Sequence, residues 1–107
     1  MDKIERYRTY IRQVLTDYVN DGSSEGEVRS ELVFDTVRDH YQVVYAGWEN
    51  RRRMYGCVLH LDIIDGKIWG TEVGMATELV RLGVPKKDIV LAFHEPFVRQ
   101  YTGFAVG

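Results

Sequence analysis

The sequence predicts an α+β fold, and three observations carry that prediction. Two stretches have the three-and-four spacing of an amphipathic helix, one at the start and one in the last third. Between them lie short runs rich in β-branched and aromatic residues, and hairpin-type turn signals separate those runs. The expected architecture is an antiparallel sheet of four to five strands, with an N-terminal helix and a second helix packed on one face. Its 107 residues fit one domain spanning 1–107.

The first helix follows from Ile4, Tyr7, Ile11, Val14, Leu15 and Tyr18, which recur along one stripe for about four turns. It should stop in "NDGSSEGE", where Asn20, Gly22 and Gly26 tolerate positive φ. "SELVFDT" and "DHYQVVYAGW" read as two antiparallel strands joined around Val37, Arg38 and Asp39. "WENRRRMYG" reads as a second hairpin turn that opens the longest strand, "MYGCVLHLDII". Strict alternation there sends Tyr55, Cys57, Leu59, Leu61 and Ile63 toward a core, with Val58, His60, Asp62 and Ile64 on the other face.

Asp65-Gly66 accepts the positive φ angles of a type I′ turn, so "KIW" is the returning strand. Thr71 is placed to cap the second helix and Glu72 to sit at the positive end of its dipole. Met75, Ala76, Leu79 and Val80 form its buried stripe; Gly83 terminates it, Val84 adds a hydrophobic contact and Pro85 blocks continuation. "KKD" then turns into "IVLAF", a fifth strand. Pro96 opens a short helix in the last segment, "FVRQY".

Composition narrows the function classes. Fourteen Lys and Arg against sixteen Asp and Glu leave a net charge of -2, so no global positive field draws in DNA or anionic lipid. Direct DNA binding is therefore not expected. One cysteine, Cys57, allows neither an internal disulfide nor a thiolate cluster, and suits a reducing cytoplasm. No apolar leader and no run of ~18 apolar residues occurs, so neither a signal peptide nor a membrane span is expected.

Catalytic chemistry is sparse. His60 and Asp62 emerge on one strand face with Cα atoms about 6.6 Å apart. With His94 they compose a two-histidine-one-carboxylate set suited to iron or zinc, to which Glu72 is an optional further carboxylate. The competing reading, a polar outer face, is favoured by the commonness of such pairs in alternating strands. His94-Glu95 offers a general base, yet no serine or cysteine stands in a nucleophile context and Cys57 falls in the inward register. "GTEVG" lacks the lysine and spacing of a phosphate loop. No metal, cofactor or catalytic residue is assigned on these grounds.

Two features suit contact with a partner. Arg51, Arg52 and Arg53 form the basic cluster at a hairpin tip. Three phosphate contacts would give a salt slope of only about −2.7. In the last fifteen residues Phe93, Phe97, Tyr101 and Phe104 are interleaved with Arg99, the residue types that close a core or anchor an interface. The expected partner-binding set is His94, Pro96, Arg99, Tyr101 and Phe104, with Arg51, Arg52 and Arg53 as a secondary contact. Exposed strand edges in so small a domain also leave room for a homodimer.

Four stretches in order, "ELVFDTVRDHYQVVYAGW", "RRMYGCVLHLDIIDGKIW", "GTEVGMATELVRLGVPKKDIVLAFH" and "RQYTGFAVG", resemble the XisI-like family, the cyanobacterial fdxN-element excision controlling factors. The resemblance runs from the first helix to the last residue. It implies a non-enzymatic accessory role in programmed excision of a DNA element during heterocyst differentiation, where a separate recombinase performs strand exchange. It also implies a XisH-like protein partner, and it brings no catalytic residues. The alternative from another class is a small metal-dependent hydrolase or nuclease-associated enzyme using His60, Asp62 and His94. Three departures stand out: Trp69 abuts Gly70 where members carry an insertion, Glu95 stands where proline is common, and Gly103 where glutamate is common.

Overall fold

The computed structural model describes residues 2–21, 28–70 and 73–107. Helix α1 (Lys3–Asp21) is followed by strands β1 (Arg29–Asp35), β2 (His40–Glu49), β3 (Arg52–Ile64) and β4 (Lys67–Gly70). Helix α2 (Val73–Leu82) and a 3-10 turn (Lys86–Asp88) lead to β5 (Ile89–Leu91) and a short helix α3 (Pro96–Arg99). The sheet runs in the order β1-β2-β3-β4-β5. The predicted Gly22 and Gly26 stop and the Thr71 and Glu72 cap lie outside the described residues.

Adjacent strands β1 through β4 pair antiparallel, because each connection is a tight turn. Asp65 and Gly66 take φ of 52° and 77°, as predicted for that turn, and Asn50 and Arg51 take 49° and 68°, so the second hairpin also closes through two residues at positive φ. In the first hairpin the Asp35 carboxylate accepts the backbone N–H groups of Val37 and Arg38, each at 3.0 Å. β5 departs from the all-antiparallel expectation. It pairs parallel with β4 because α2 carries the chain back across the sheet before β5 begins.

One face of the sheet is packed. Tyr7, Ile11, Val14 and Leu15 from α1 meet Met75, Ala76 and Leu79 from α2 over Tyr41, Val43, Leu59, Leu61, Ile63, Ile68, Ile89 and Leu91. The helical stripe read from the sequence is thus the buried one, except that Tyr18 sits at its rim. α2 ends in a Schellman closure: Gly83 at φ 114° donates to Val80 O, and Val84 donates to Leu79 O, each at 3.0 Å. Val84 then buries its side chain against the core.

A charged pair is built into this layer. Asp88 is buried, accepts a short hydrogen bond from the Tyr7 hydroxyl and lies 3.1 Å from Lys3 Nζ. Burial by itself would push the Asp88 carboxyl up; the Tyr7 and Lys3 donors outweigh it and hold the group below its ordinary value.

The other face is open, and a β-bulge decides what it carries. Val43 pairs with Leu59 but Val44 pairs with Cys57, leaving Val58 as the extra residue. Upstream of Val58 the alternation of β3 changes phase, since one inserted residue moves every side chain before it to the opposite face. Cys57 and Tyr55 therefore leave the core register predicted for them. Cys57 is exposed and Tyr55 is 71% exposed, opposite Val44 and Ala46 on the open face. Gly56 takes the packed-face position instead, and the Tyr45 ring lies over it where a Cβ would collide.

Candidate functional site

A single row crosses all five strands on this second face, which is covered at β5, where Val90 is fully buried. Asp35 pairs with His40, His40 with Asp62, Asp62 with Trp69 and Trp69 with Val90. The C-terminal segment extends the row by one bridge, Val90 to Ala105. Register, not proximity in sequence, brings these groups together.

At the centre of the row, Asp62 Oδ1 accepts from two imidazoles. His40 Nδ1 and His60 Nε2 each lie 2.6 Å from it. The His40 and His60 rings meet edge to face with centroids 6.1 Å apart. The two histidine nitrogens and the carboxylate oxygen fall within 4.8 Å of one another, which is a grouping able to hold a metal ion. The predicted set of His60, Asp62 and His94 is corrected in its membership: His40 takes the third place. His94 instead stacks against Phe93, centroids 4.3 Å apart, beyond β5. The signal for His40 was present in the hairpin register, which places it directly across from Asp62.

The C-terminal segment folds back on the edge of the same sheet. The Ala105 N–H donates to Ile89 O at 2.8 Å, and Phe104 packs against the core with its ring 5.6 Å from Lys86 Nζ. The Arg99 guanidinium lies 5.1 Å from the Trp69 ring centroid, and its Nε donates to His94 O at 2.8 Å. Pro96 begins α3 after an extended Glu95, as expected for a first-turn proline. Phe104 thus serves the core, and Arg99 ties the segment down.

The remaining aromatics of the segment turn outward. Phe97 is 66% and Tyr101 73% exposed, and the two rings meet at 5.8 Å in an edge contact. Phe93 is exposed as well. On the far end of the open face Trp48 is exposed beside Arg53, whose guanidinium lies 5.6 Å from its ring. The arginine cluster is divided by strand geometry: Arg51 is in the turn, Arg52 pairs with Glu49 and Arg53 with Trp48, so consecutive side chains leave on opposite faces. No helix among the described residues is long and apolar enough to cross a membrane.

A model of the XisI protein family matches residues 1–106 of this chain. Two solved structures from Anabaena variabilis ATCC 29413 share the architecture. A XisI-like protein is 41% identical with a TM-score of 0.90, over 99% of this chain and 100% of that one. The fdxN element excision controlling factor XisI is 33% identical with a TM-score of 0.85, again over 99% and 100%. No curated protein matches.

Proposed function

This chain belongs to the XisI protein family, and we propose that it is an accessory factor in the excision of a DNA element, acting by contact with another protein. The family and the excision controlling factor it resembles over nearly its whole length support the process. The mode of action rests on one observation. Phe97 and Tyr101 stand exposed on a segment that Arg99, Phe104 and Ala105 fasten to the domain. Exposed aromatics on a fixed backbone lose little conformational freedom on binding, which is why such residues anchor interfaces.

The partner proposed is a XisH-like protein, with strand exchange left to a separate recombinase and the work done in the cytoplasm, where that DNA resides. Of the expected set His94, Pro96, Arg99, Tyr101 and Phe104, the proposed contact is carried by Tyr101 together with the exposed rings of Phe93 and Phe97, while Phe104 and Arg99 support it by holding the segment to the domain. Arg51, Arg52 and Arg53 are the secondary contact, with Arg53 beside Trp48 its interface-like element. The reading is tested by capture of a purified XisH-like protein on the immobilised chain, comparing the native sequence with a Phe97→Ala/Tyr101→Ala double variant. Loss of two central aromatic anchors should weaken capture at least tenfold, about 1.4 kcal/mol or more. Equal capture by the folded double variant would remove the segment from the interface.

A further inference from the structure

We propose that His40, His60 and Asp62 form a binding site for one divalent transition-metal ion of the zinc class. The donors are two imidazole nitrogens and one carboxylate oxygen, a set that suits zinc, cobalt or iron(II) and not calcium or magnesium, which take oxygen-rich shells. His40 Nδ1 and His60 Nε2 already converge on Asp62 Oδ1 at 2.6 Å each. Metal–ligand bonds of about 2.0–2.2 Å at tetrahedral angles would set the three atoms roughly 3.3 Å apart. Each nitrogen therefore retreats from the oxygen by about 0.7 Å, and the three atoms stay within their present 4.8 Å span. Side-chain rotation covers such a change without moving the strands.

The backbone supplies the pre-organisation. His40 and Asp62 are directly paired across β2 and β3, and His60 is two residues before Asp62 on the same face of β3. A further tie runs from the Ile63 N–H to Asp39 O at 3.0 Å, bracketing the pair. Ligands on paired strands are placed more accurately than ligands on loops. In the metal-free arrangement each imidazole donates an N–H to the carboxylate. On binding, each coordinating ring nitrogen turns its lone pair to the cation, so the cation takes the place of two hydrogen bonds. The His40 and His60 side chains are 46% and 36% exposed, which leaves a fourth coordination position facing solvent for water or for a donor group on another molecule.

This site stands independently of the partner-binding segment and of the excision role. The experiment uses the full chain, stripped with chelator and titrated with Co²⁺ while the visible d–d bands of a four-coordinate ion are followed, with Zn²⁺ then added as competitor. One equivalent should saturate the bands and Zn²⁺ should displace it. His40→Ala, His60→Ala and Asp62→Ala should each weaken binding at least about tenfold. Asp62→Asn gives the same reading with the shape of the side chain kept, should an alanine variant fail to fold by circular dichroism. Absence of saturable one-equivalent binding overturns the proposal, as does equal binding by all the folded variants or loss of binding in His94→Ala instead.

Discussion

Arg8 of α1 grips Asp39 with two hydrogen bonds, Nε to Oδ1 at 2.8 Å and a terminal nitrogen to Oδ2 at 3.1 Å. The carboxylate it holds belongs to the turn between β1 and β2, at a φ of 56° that few non-glycine residues adopt. The same Oδ1 accepts the hydroxyl of Tyr41, whose ring is fully buried. One aspartate thus joins helix, turn and core.

Asp39→Ala should cost about 3 kcal/mol, since it strands a buried hydroxyl, removes a forked charge-assisted bond and forces a less tolerant residue into positive φ. Asp39→Asn keeps the hydroxyl's acceptor and the turn, and should cost less than half as much. Urea midpoints of the two variants check the order. A result in which they are equally destabilised would mean that charge, not turn geometry or the Tyr41 partner, dominates at this position.

The bulge at Val58 makes a sharper prediction. Val44 pairs with Cys57 immediately after Val43 pairs with Leu59, so Val58 is the residue the ladder does not need. Deleting Val58 should give a regular ladder with every other side chain on its present face, and should change stability by about 1 kcal/mol or less. In both proteins Cys57 should react with a thiol reagent as fast as a free thiol, without denaturant. A Cys57 that reacts only after unfolding would restore the unbroken alternation and place that side chain in the core.

The same residue marks where the fold was legible and where it was not. Hydrophobic spacing identified both long helices, the hairpins and the Gly83 stop, because each is a local pattern with a local cause. The phase change at Val58 is not local. Tyr55, Cys57, Leu59 and Leu61 read as one uninterrupted period, and only the pairing with β2 shows the slip. His40 is hidden from the sequence for the same reason, since its place beside Asp62, 22 residues away in sequence, depends on the register between strands. The parallel orientation of β5 does have a local sign. Ile89, Val90 and Leu91 are all buried, and a short run without alternation is what a strand in a parallel pair, covered on both faces, presents.

Acid should unfold the protein through two carboxylates. Hydrogen bonds from Arg8, reinforced by Tyr41 and opposed by burial, hold Asp39 below its ordinary value. Asp88 is also held low, burial being outweighed by Tyr7 and Lys3. A group depressed in the folded state contributes stability that is complete above the unfolded carboxylate pKa, about 3.9, and is lost as pH falls through the folded value. The thermal midpoint should therefore be insensitive to these two groups from pH 8 to about 5 and should fall below about pH 4. Asp88→Asn should cost about 2 kcal/mol at neutral pH and should flatten the acid limb. An unchanged limb in that variant would assign acid unfolding to other groups.

The C-terminal segment offers the test that separates stability from recognition. Phe104 is half-buried against the core, and Ala105 beside it is bonded to Ile89, whereas Phe97 and Tyr101 project into solvent from the preceding turn. Truncating a half-buried ring loses part of the 3–5 kcal/mol typical of full burial, so Phe104→Ala should cost about 2 kcal/mol and loosen the segment from β5. Phe97→Ala and Tyr101→Ala should each stay within about 0.5 kcal/mol of the native protein, because little apolar area there is withdrawn from water. Denaturant midpoints report the stability of all three variants, and capture of a XisH-like protein reports recognition. Three rings within eight residues then divide by physics: the one that fails in denaturant belongs to the fold, and the two that fail only in capture belong to the interface. Should Phe97→Ala unfold the protein as readily as Phe104→Ala, the outward rings are core after all, and the proposed contact surface has to be sought elsewhere on the open face of the sheet.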